Sequence, residues 1–157
     1  AAHQPAMETV KLDDLLAPVI EEYRRRSEYK RITIRYVPSR ISVTTHVPYF
    51  QRIVRNVLSN AVRYTEQGDR ILVGCRQGGG LRLVIADSGH GMTEEQTRRA
   101  FDAFQRFDAG KSLPDGFGLG LFSTGSLANA LGLEVNLKSR TGYGTEFSIA
   151  LSLSGGP

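Results

Sequence analysis

The sequence contains no tryptophan, only two methionines and a single cysteine, Cys75, among 157 residues. One cysteine excludes a disulfide framework and any multi-cysteine zinc site, and it fits a reducing setting. No apolar run nears the ~20 residues that a membrane-spanning helix needs. The opening AAHQPAMETV also lacks the apolar stretch of a signal peptide. Acidic excess is missing too: 20 lysines and arginines against 16 aspartates and glutamates leave a net charge of +4. That balance suits a polyanionic small molecule as well as nucleic acid. However, Arg24, Arg25, Arg26, Lys30 and Arg31 share their segment with Glu21, Glu22 and Glu28, and no basic stripe interleaved with aromatics follows. A solvated helix face accounts for that cluster, and nucleic-acid binding is not expected. With 40% apolar and 23% charged residues, the chain has the composition of one domain with one hydrophobic core.

Residues 1–7 have no periodic pattern and read as a loose leader or an appended remnant, 8–153 as one domain, and 154–157 as a tail. Val10–Leu12 suggests a short strand, and Asp13 a helix cap, with apolar residues at helical spacing up to about Tyr29. Two period-two runs, 32–37 and 41–45, flank Pro38-Ser39-Arg40 and predict a hairpin. A helix is predicted over 48–64, then a hairpin of 70–77 and 81–87 across Gly78-Gly79-Gly80. A short helix from Thr93 to about Phe104, a loop over 105–117 and a helix over 118–131 follow, closed by Gly132. A last hairpin joins 134–139 to 145–153. The expected class is α+β: a two-layer sandwich of one mixed, mostly antiparallel sheet covered on one face by helices.

Three stretches carry chemistry. On the helix 48–64, Asn56, Asn60 and Arg63 fall within an arc of about 60° at ~100° per residue, with Tyr64 at its edge. Asparagine is a poor helix former, so two of them at i and i+4 suggest a wall that holds something polar, although incidental surface asparagines are equally open. Next, the strand ending at Asp87 runs into Ser88-Gly89-His90-Gly91-Met92. A partly buried carboxylate there needs donors, and adenine's exocyclic amino group would serve, whereas guanine presents a carbonyl. An ordinary Asp–Gly turn explains the same residues. Last, Gly116-Phe117-Gly118-Leu119-Gly120-Leu121 leads into a helix, where backbone N–H groups could approach an anion, though a plain flexible loop would look alike.

Taken in order, N-x-x-x-N-A, D-x-G-x-G, an aromatic cluster, G-x-G-x-G-L and G-x-G-T-x-F, the chain resembles the ATP-binding catalytic domain of sensor histidine kinases. That domain belongs to the wider superfamily of DNA gyrase, MutL mismatch-repair proteins and heat-shock chaperones. The resemblance spans about residues 8–153 and implies a Bergerat-type fold, with ATP held between helices and sheet under a mobile lid. Asn56–Thr65 is similar to the family's N box, Asp87–Met92 to its first glycine box and Phe101–Phe107 to its phenylalanine box. Gly116–Leu121 and Gly142–Phe147 are similar to the second and third glycine boxes.

The resemblance assigns roles position by position. Asn60 is the expected Mg²⁺ ligand, through its amide oxygen. Asn56 would lie beside the phosphates or the metal's water shell, and Arg63, where the family usually has lysine, would contact phosphate. Tyr64 would pack on adenine, Asp87 would accept from its amino group, and Thr145 would assist. Gly89, Gly91, Met92, Gly116, Phe117, Gly118, Leu119, Gly120 and Leu121 complete the implied nucleotide site. Residues 105–117 would form the lid, with Arg106 and Lys111 on the γ-phosphate and the phenylalanines as hinge packing. His46 stands where the family often has an aspartate, His90 at a variable and partly exposed position, and Cys75 reads as core packing.

The superfamily's hydrolases carry a glutamate four residues before the metal asparagine, and here that residue is Asn56. An amide cannot take a proton from water, whereas a neutral imidazole acceptor already presents a lone pair. The expectation is therefore phosphotransfer to histidine. The acceptor histidine, a dimerising helix pair and a response-regulator receiver domain would lie outside this chain. The resemblance implies a homodimeric parent, for which an inner-membrane anchor is open, with this domain cytoplasmic. A nucleotide-binding regulatory module without phosphotransfer is the alternative.

Overall fold

In a computed structural model, residues 6–106 and 120–151 are described, with side chains for 6–102 and 123–151. The chain opens with β1 (Glu8–Lys11) and α1 (Leu12–Arg26). Leu12, Leu15, Leu16, Val19, Ile20 and Tyr23 recur at three- and four-residue steps, so they form one stripe, and all are buried. Pro18 lies on the opposite, exposed side, where water can take the carbonyl that its missing N–H leaves unbonded. The helix begins one residue before the expected cap and ends at Arg26, where Ser27 caps it by donating from Oγ to the Tyr23 carbonyl at 2.6 Å. A 3-10 turn, Glu28–Lys30, follows.

β2 (Thr33–Tyr36) and β3 (Ser42–Thr45) do form where the alternation predicts, but not as a hairpin. β2 pairs in parallel with β4 (Arg70–Gln77), and β3 pairs antiparallel with β1 in a separate two-stranded sheet. The single sheet expected is thus two. The connection between β2 and β3 is held instead by Asp13, whose Oδ1 accepts from the Ser39 N–H at 3.0 Å and from the Tyr36 hydroxyl. The Val37 N–H goes to the Val73 carbonyl at 2.9 Å, so the chain leaves β2 along β4 rather than folding back.

The main sheet runs β2-β4-β5-β7-β6, with β5 (Leu81–Asp87), β6 (Val135–Arg140) and β7 (Gly144–Ala150); every pairing but β2–β4 is antiparallel. Alternation sends Ile34, Ile71, Val73, Leu83, Ile85, Phe147 and Ile149 inward, where they are buried. α2 (Val47–Arg63), α3 (Glu94–Arg106) and α4 (Gly120–Ala130) cover that face, α2 against β5, α3 against β6, and α4 against both helices. Phe50, Ile53, Val54, Val57, Leu58 and Ala61 are the buried stripe of α2. A reciprocal cap starts α3: the Gln96 N–H donates to Thr93 Oγ1 at 3.1 Å, and the Thr93 N–H to Gln96 Oε1 at 3.0 Å. Arg35, Arg70, Arg76, Arg82, Lys138 and Arg140 alternate to the other face of the sheet with Glu146, which makes that face basic. Arg76 holds Glu146 by two bonds of 2.8 and 3.0 Å.

Candidate functional site

The last turn of α2 faces the end of β5 across a cleft of about 560 Å³, its open mouth included. Its apolar lining comes from three layers: Val57 and Ala61 on α2, Ile85, Phe147 and Leu137 on neighbouring strands, and Ala100 on α3. The polar lining is sparse. Asn60 and Tyr64 contribute from the helix side, Asp87 and Thr145 from the sheet, and Gly91 and Met92 from the loop after β5. A mostly apolar cleft with a few convergent polar groups suits a heteroaromatic ring with a polar edge.

Asp87 and Thr145 are brought together by register, since they are cross-strand partners in β5 and β7. Asp87 Oδ1 accepts the Gly89 N–H at 2.9 Å. Burial pushes the Asp87 carboxyl above the ordinary carboxylate range, and Asp69 adds to the push; the Gly89 and Thr145 N–H groups and His90 pull it back only in part. The group is therefore a half-buried acceptor with spare capacity facing the cleft. Thr145 Oγ1 lies 2.7 Å from Ser139 Oγ, and Ser139 Oγ also accepts the Met92 N–H at 2.8 Å, tying the loop after β5 to the β6–β7 hairpin. Tyr64 meets His90 edge to face at 5.6 Å. Burial raises the Tyr64 hydroxyl, opposed by the adjacent Arg63 guanidinium.

Glycine is required where this loop passes its neighbours. A Cβ at Gly89 would collide with the Tyr64 carbonyl oxygen and come within 2.9 Å of Asp87 Oδ1. Gly91, at φ +71°, would collide with the Arg140 carbonyl. These two glycines let the loop lie directly against the end of α2 on one side and the end of β6 on the other. The Gly142 N–H then bonds the His90 carbonyl at 2.8 Å and closes the arrangement.

Of the residues expected from the sequence, Asn60, Tyr64, Asp87, Gly91, Met92 and Thr145 line one cleft. Gly89 serves it as a backbone donor to Asp87. Asn56 and Arg63 do not line it: Asn56 lies one turn earlier and is half-buried, and Arg63 is exposed at the helix end. Arg106 ends α3 in the helix rather than in a loop, and its side chain falls outside the described residues, as do Lys111, Gly116, Phe117, Gly118 and Leu119 altogether. Gly120 and Leu121 open α4, described for the backbone alone. Sequence reasoning did not assign Val57, Ala61, Ile85, Ala100, Leu137 or Ser139 to the site, and it named Phe147 only as the end of a motif. Period two from Asp87 reaches Ile85, and from Thr145 reaches Phe147; nothing local marks Ser139.

Comparison with known proteins agrees with this geometry. Residues 45–155 match the family described as histidine kinase-, DNA gyrase B- and HSP90-like ATPase. The histidine protein kinase SaeS of Staphylococcus epidermidis is 25% identical over 151 residues, covering 92% of this chain and 43% of that protein. The sensor protein SrrB of Staphylococcus aureus is 32% identical over 122 residues, covering 76% of this chain and 21% of that one. The chain thus spans less than half the length of these relatives. Among solved structures, the mycobacterial sensor histidine kinase MprB superposes with a TM-score of 0.72 at 26% identity, over 94% of this chain and 98% of that one. Full-length ShkA in complex with AMPPNP gives 0.78 at 27% identity, over 98% of this chain and 33% of that one. On the family match, the shared fold and the cleft, the chain belongs to the histidine kinase-, DNA gyrase B- and HSP90-like ATPase family, and over most of its length it is similar to sensor histidine kinases.

Proposed function

We propose that the chain binds Mg·ATP in this cleft and delivers the γ-phosphoryl group to a histidine on a separate acceptor domain. The observation that carries the reading is that Asn60 and Asp87, from α2 and β5, line the same cleft. Asp87 takes adenine's amino hydrogen and excludes guanine, whose carbonyl would meet the carboxylate acceptor to acceptor. The apolar residues sandwich the ring, and Tyr64 closes its edge. Asn60 is the residue that fits Mg²⁺: a neutral amide oxygen is a hard ligand, and the remaining ligands would be phosphate oxygens and water. Among the described residues no group of three His, Cys, Asp or Glu is arranged to hold a metal ion. When bound, Mg²⁺ supplies charge neutralisation on the phosphates.

In the transfer itself, the acceptor imidazole's lone pair forms the N–P bond as the bond from γ-phosphorus to the ADP oxygen breaks, and ADP leaves with that electron pair. Asn56 holds the place of a water-activating base without being able to take a proton, which favours imidazole over water as the nucleophile. Arg63, Arg106 and Lys111 are the candidate phosphate cations, with the Gly116–Leu121 backbone. The acceptor and receiver domains would be this domain's partners in a homodimeric parent, and its place of work the cytoplasm. Among the described residues no helix is long and apolar enough to cross a membrane.

The test is direct. The chain alone is expected to bind Mg·ATP in preference to Mg·GTP and to label itself negligibly. A histidine-acceptor domain supplied in trans should gain acid-labile phosphate. ATP binding with no transfer to any acceptor would leave a regulatory nucleotide module, and steady hydrolysis by the chain alone would contradict the role given to Asn56.

A further inference from the structure

The C-terminus of α2 carries Asn60 and Tyr64, and no glycine directly follows it. A helix end leaves its last carbonyls without intrahelical partners, and in a half-buried place each needs a donor. The Asn60 carbonyl receives the Tyr64 N–H at 3.1 Å. Thr65 Oγ1 donates to the Ala61 carbonyl at 2.8 Å and approaches that of Val62 at 3.0 Å. The rest are met from a distant part of the chain. Lys30 Nζ lies 2.7 Å from the Val62 carbonyl, 2.8 Å from that of Thr65 and 3.4 Å from that of Arg63. The Tyr64 carbonyl, between them, is the oxygen against which Gly89 packs.

Lys30 is half-buried and makes no ion pair among the described residues, so its ammonium is satisfied by these carbonyls. A cation here also complements the negative end of the helix dipole. The backbone beside it is fixed. Arg31 holds a left-handed conformation at φ 55°, its carbonyl accepts the Gly68 N–H at 3.2 Å, and the Thr33 N–H reaches the Asp69 carbonyl at 3.1 Å. The segment after α1 therefore runs alongside the segment after α2, with Lys30 inserted at the helix end.

We propose that Lys30 is a positioning residue for the nucleotide site. It fixes the final turn of α2 so that Asn60 and Tyr64 stand opposite Asp87 and Thr145, and it touches neither nucleotide nor metal. This role rests on the reading of the cleft as a nucleotide site. Lys30→Met keeps the apolar stem and removes the donors; Lys30→Gln is a milder change; Lys30→Arg keeps charge and donors. Measured well below each melting temperature, Lys30→Met should weaken Mg·ATP binding about tenfold and Lys30→Gln less, with Lys30→Arg within about threefold of wild type. Val19→Ala, in the core of α1, serves as a destabilised control that keeps wild-type affinity. A merely structural lysine would lower the melting temperature and leave the affinity of the folded chain unchanged; that result overturns the proposal. Amide hydrogen exchange on the ligand-free chain decides independently. Exchange at Tyr64 should quicken about tenfold in Lys30→Met, or by a smaller factor in Lys30→Gln if the former does not fold, with Phe50–Val54 unchanged. Unaltered exchange at Tyr64 refutes the role even if the wild type binds no nucleotide, an outcome that would sink the functional proposal separately.

Discussion

Replacing Asp87 by asparagine separates what the carboxylate does for the fold from what it does for the base. Oδ1 already accepts the Gly89 N–H, the Thr145 N–H bonds the same carboxylate, and an adenine amino group adds a further donor. Asparagine has one oxygen. With that oxygen kept on the Gly89 N–H, its NH₂ group faces the adenine amino group, donor to donor. A hydrogen bond to a charged group contributes ~1.5–3 kcal/mol, and its replacement by a donor–donor contact forfeits at least that. At ~1.4 kcal/mol per decade, ATP affinity should fall about 10- to 150-fold. The fold should not suffer in parallel. The Asp87 pKa is raised in the folded chain, mainly by burial, so ionising it costs the empty fold stability. That cost is absent below the unfolded-state pKa, grows as pH rises from there to the folded-state pKa, and is fully present above it. Asparagine carries no such cost, so Asp87→Asn should melt at or above the wild-type temperature. Calorimetric titration with Mg·ATP and Mg·GTP, beside thermal melts, measures both quantities. GTP should gain relative to ATP until the two lie within about threefold, because the amide can donate to a carbonyl. Unchanged ATP affinity with the fold intact would falsify the adenine assignment, and lost affinity accompanied by a lower melting temperature would move Asp87 from recognition to structure.

Four further outcomes can be checked with the same material. Because the bound base needs ionised Asp87, ATP affinity should rise with pH through the raised carboxyl pKa of the free chain and then level off. The Asp87→Asn variant should lack that rise, and a parallel slope in both would place the titrating group elsewhere. Asn60→Ala should shrink the gain in ATP affinity on adding Mg²⁺ by about tenfold or more, the scale found even for residues behind a metal's ligands, while leaving binding in EDTA unchanged. Gly89→Ala forces a Cβ into the Tyr64 carbonyl and should cost about 3 kcal/mol in urea unfolding, whereas Gly68→Ala, at φ +92° in open space, should cost only ~1–2 kcal/mol for the left-handed backbone. Equal losses at the two glycines would mean that the loop after β5 yields easily. Asn56→Glu should raise basal ATP hydrolysis by the chain alone, seen as steady phosphate release; no release would mean that the cleft does not direct water to the γ-phosphate.

The sequence was informative wherever the chemistry is local. The β4–β5 hairpin falls at the predicted residues because three consecutive glycines between two β-rich runs admit few other solutions. The cleft residues were legible for a related reason. Asn60 and Tyr64 share a face through helical spacing, and Asp87 is fixed by the strand that ends on it. The reading failed where pairing is chosen by distant residues. Runs 32–37 and 41–45 alternate as a hairpin should, yet each finds a better partner: β4, whose Ile71 and Val73 continue the buried row of Ile34, and β1, which the turn into α1 delivers beside β3. The basic cluster failed the same way. Read as a solvated face, it contains Arg24, which donates to the Ile34 carbonyl of strand β2 at 3.0 and 3.1 Å, and Lys30, which closes the helix of the site. Neither role has a signature within nine residues of its own position. The polar residues that line the cleft are therefore set by motif, while Arg24 and Lys30 are set by tertiary carbonyls in need of donors. Counting the unpaired carbonyls at the end of a functional helix, and asking which side chain reaches them, finds the second kind.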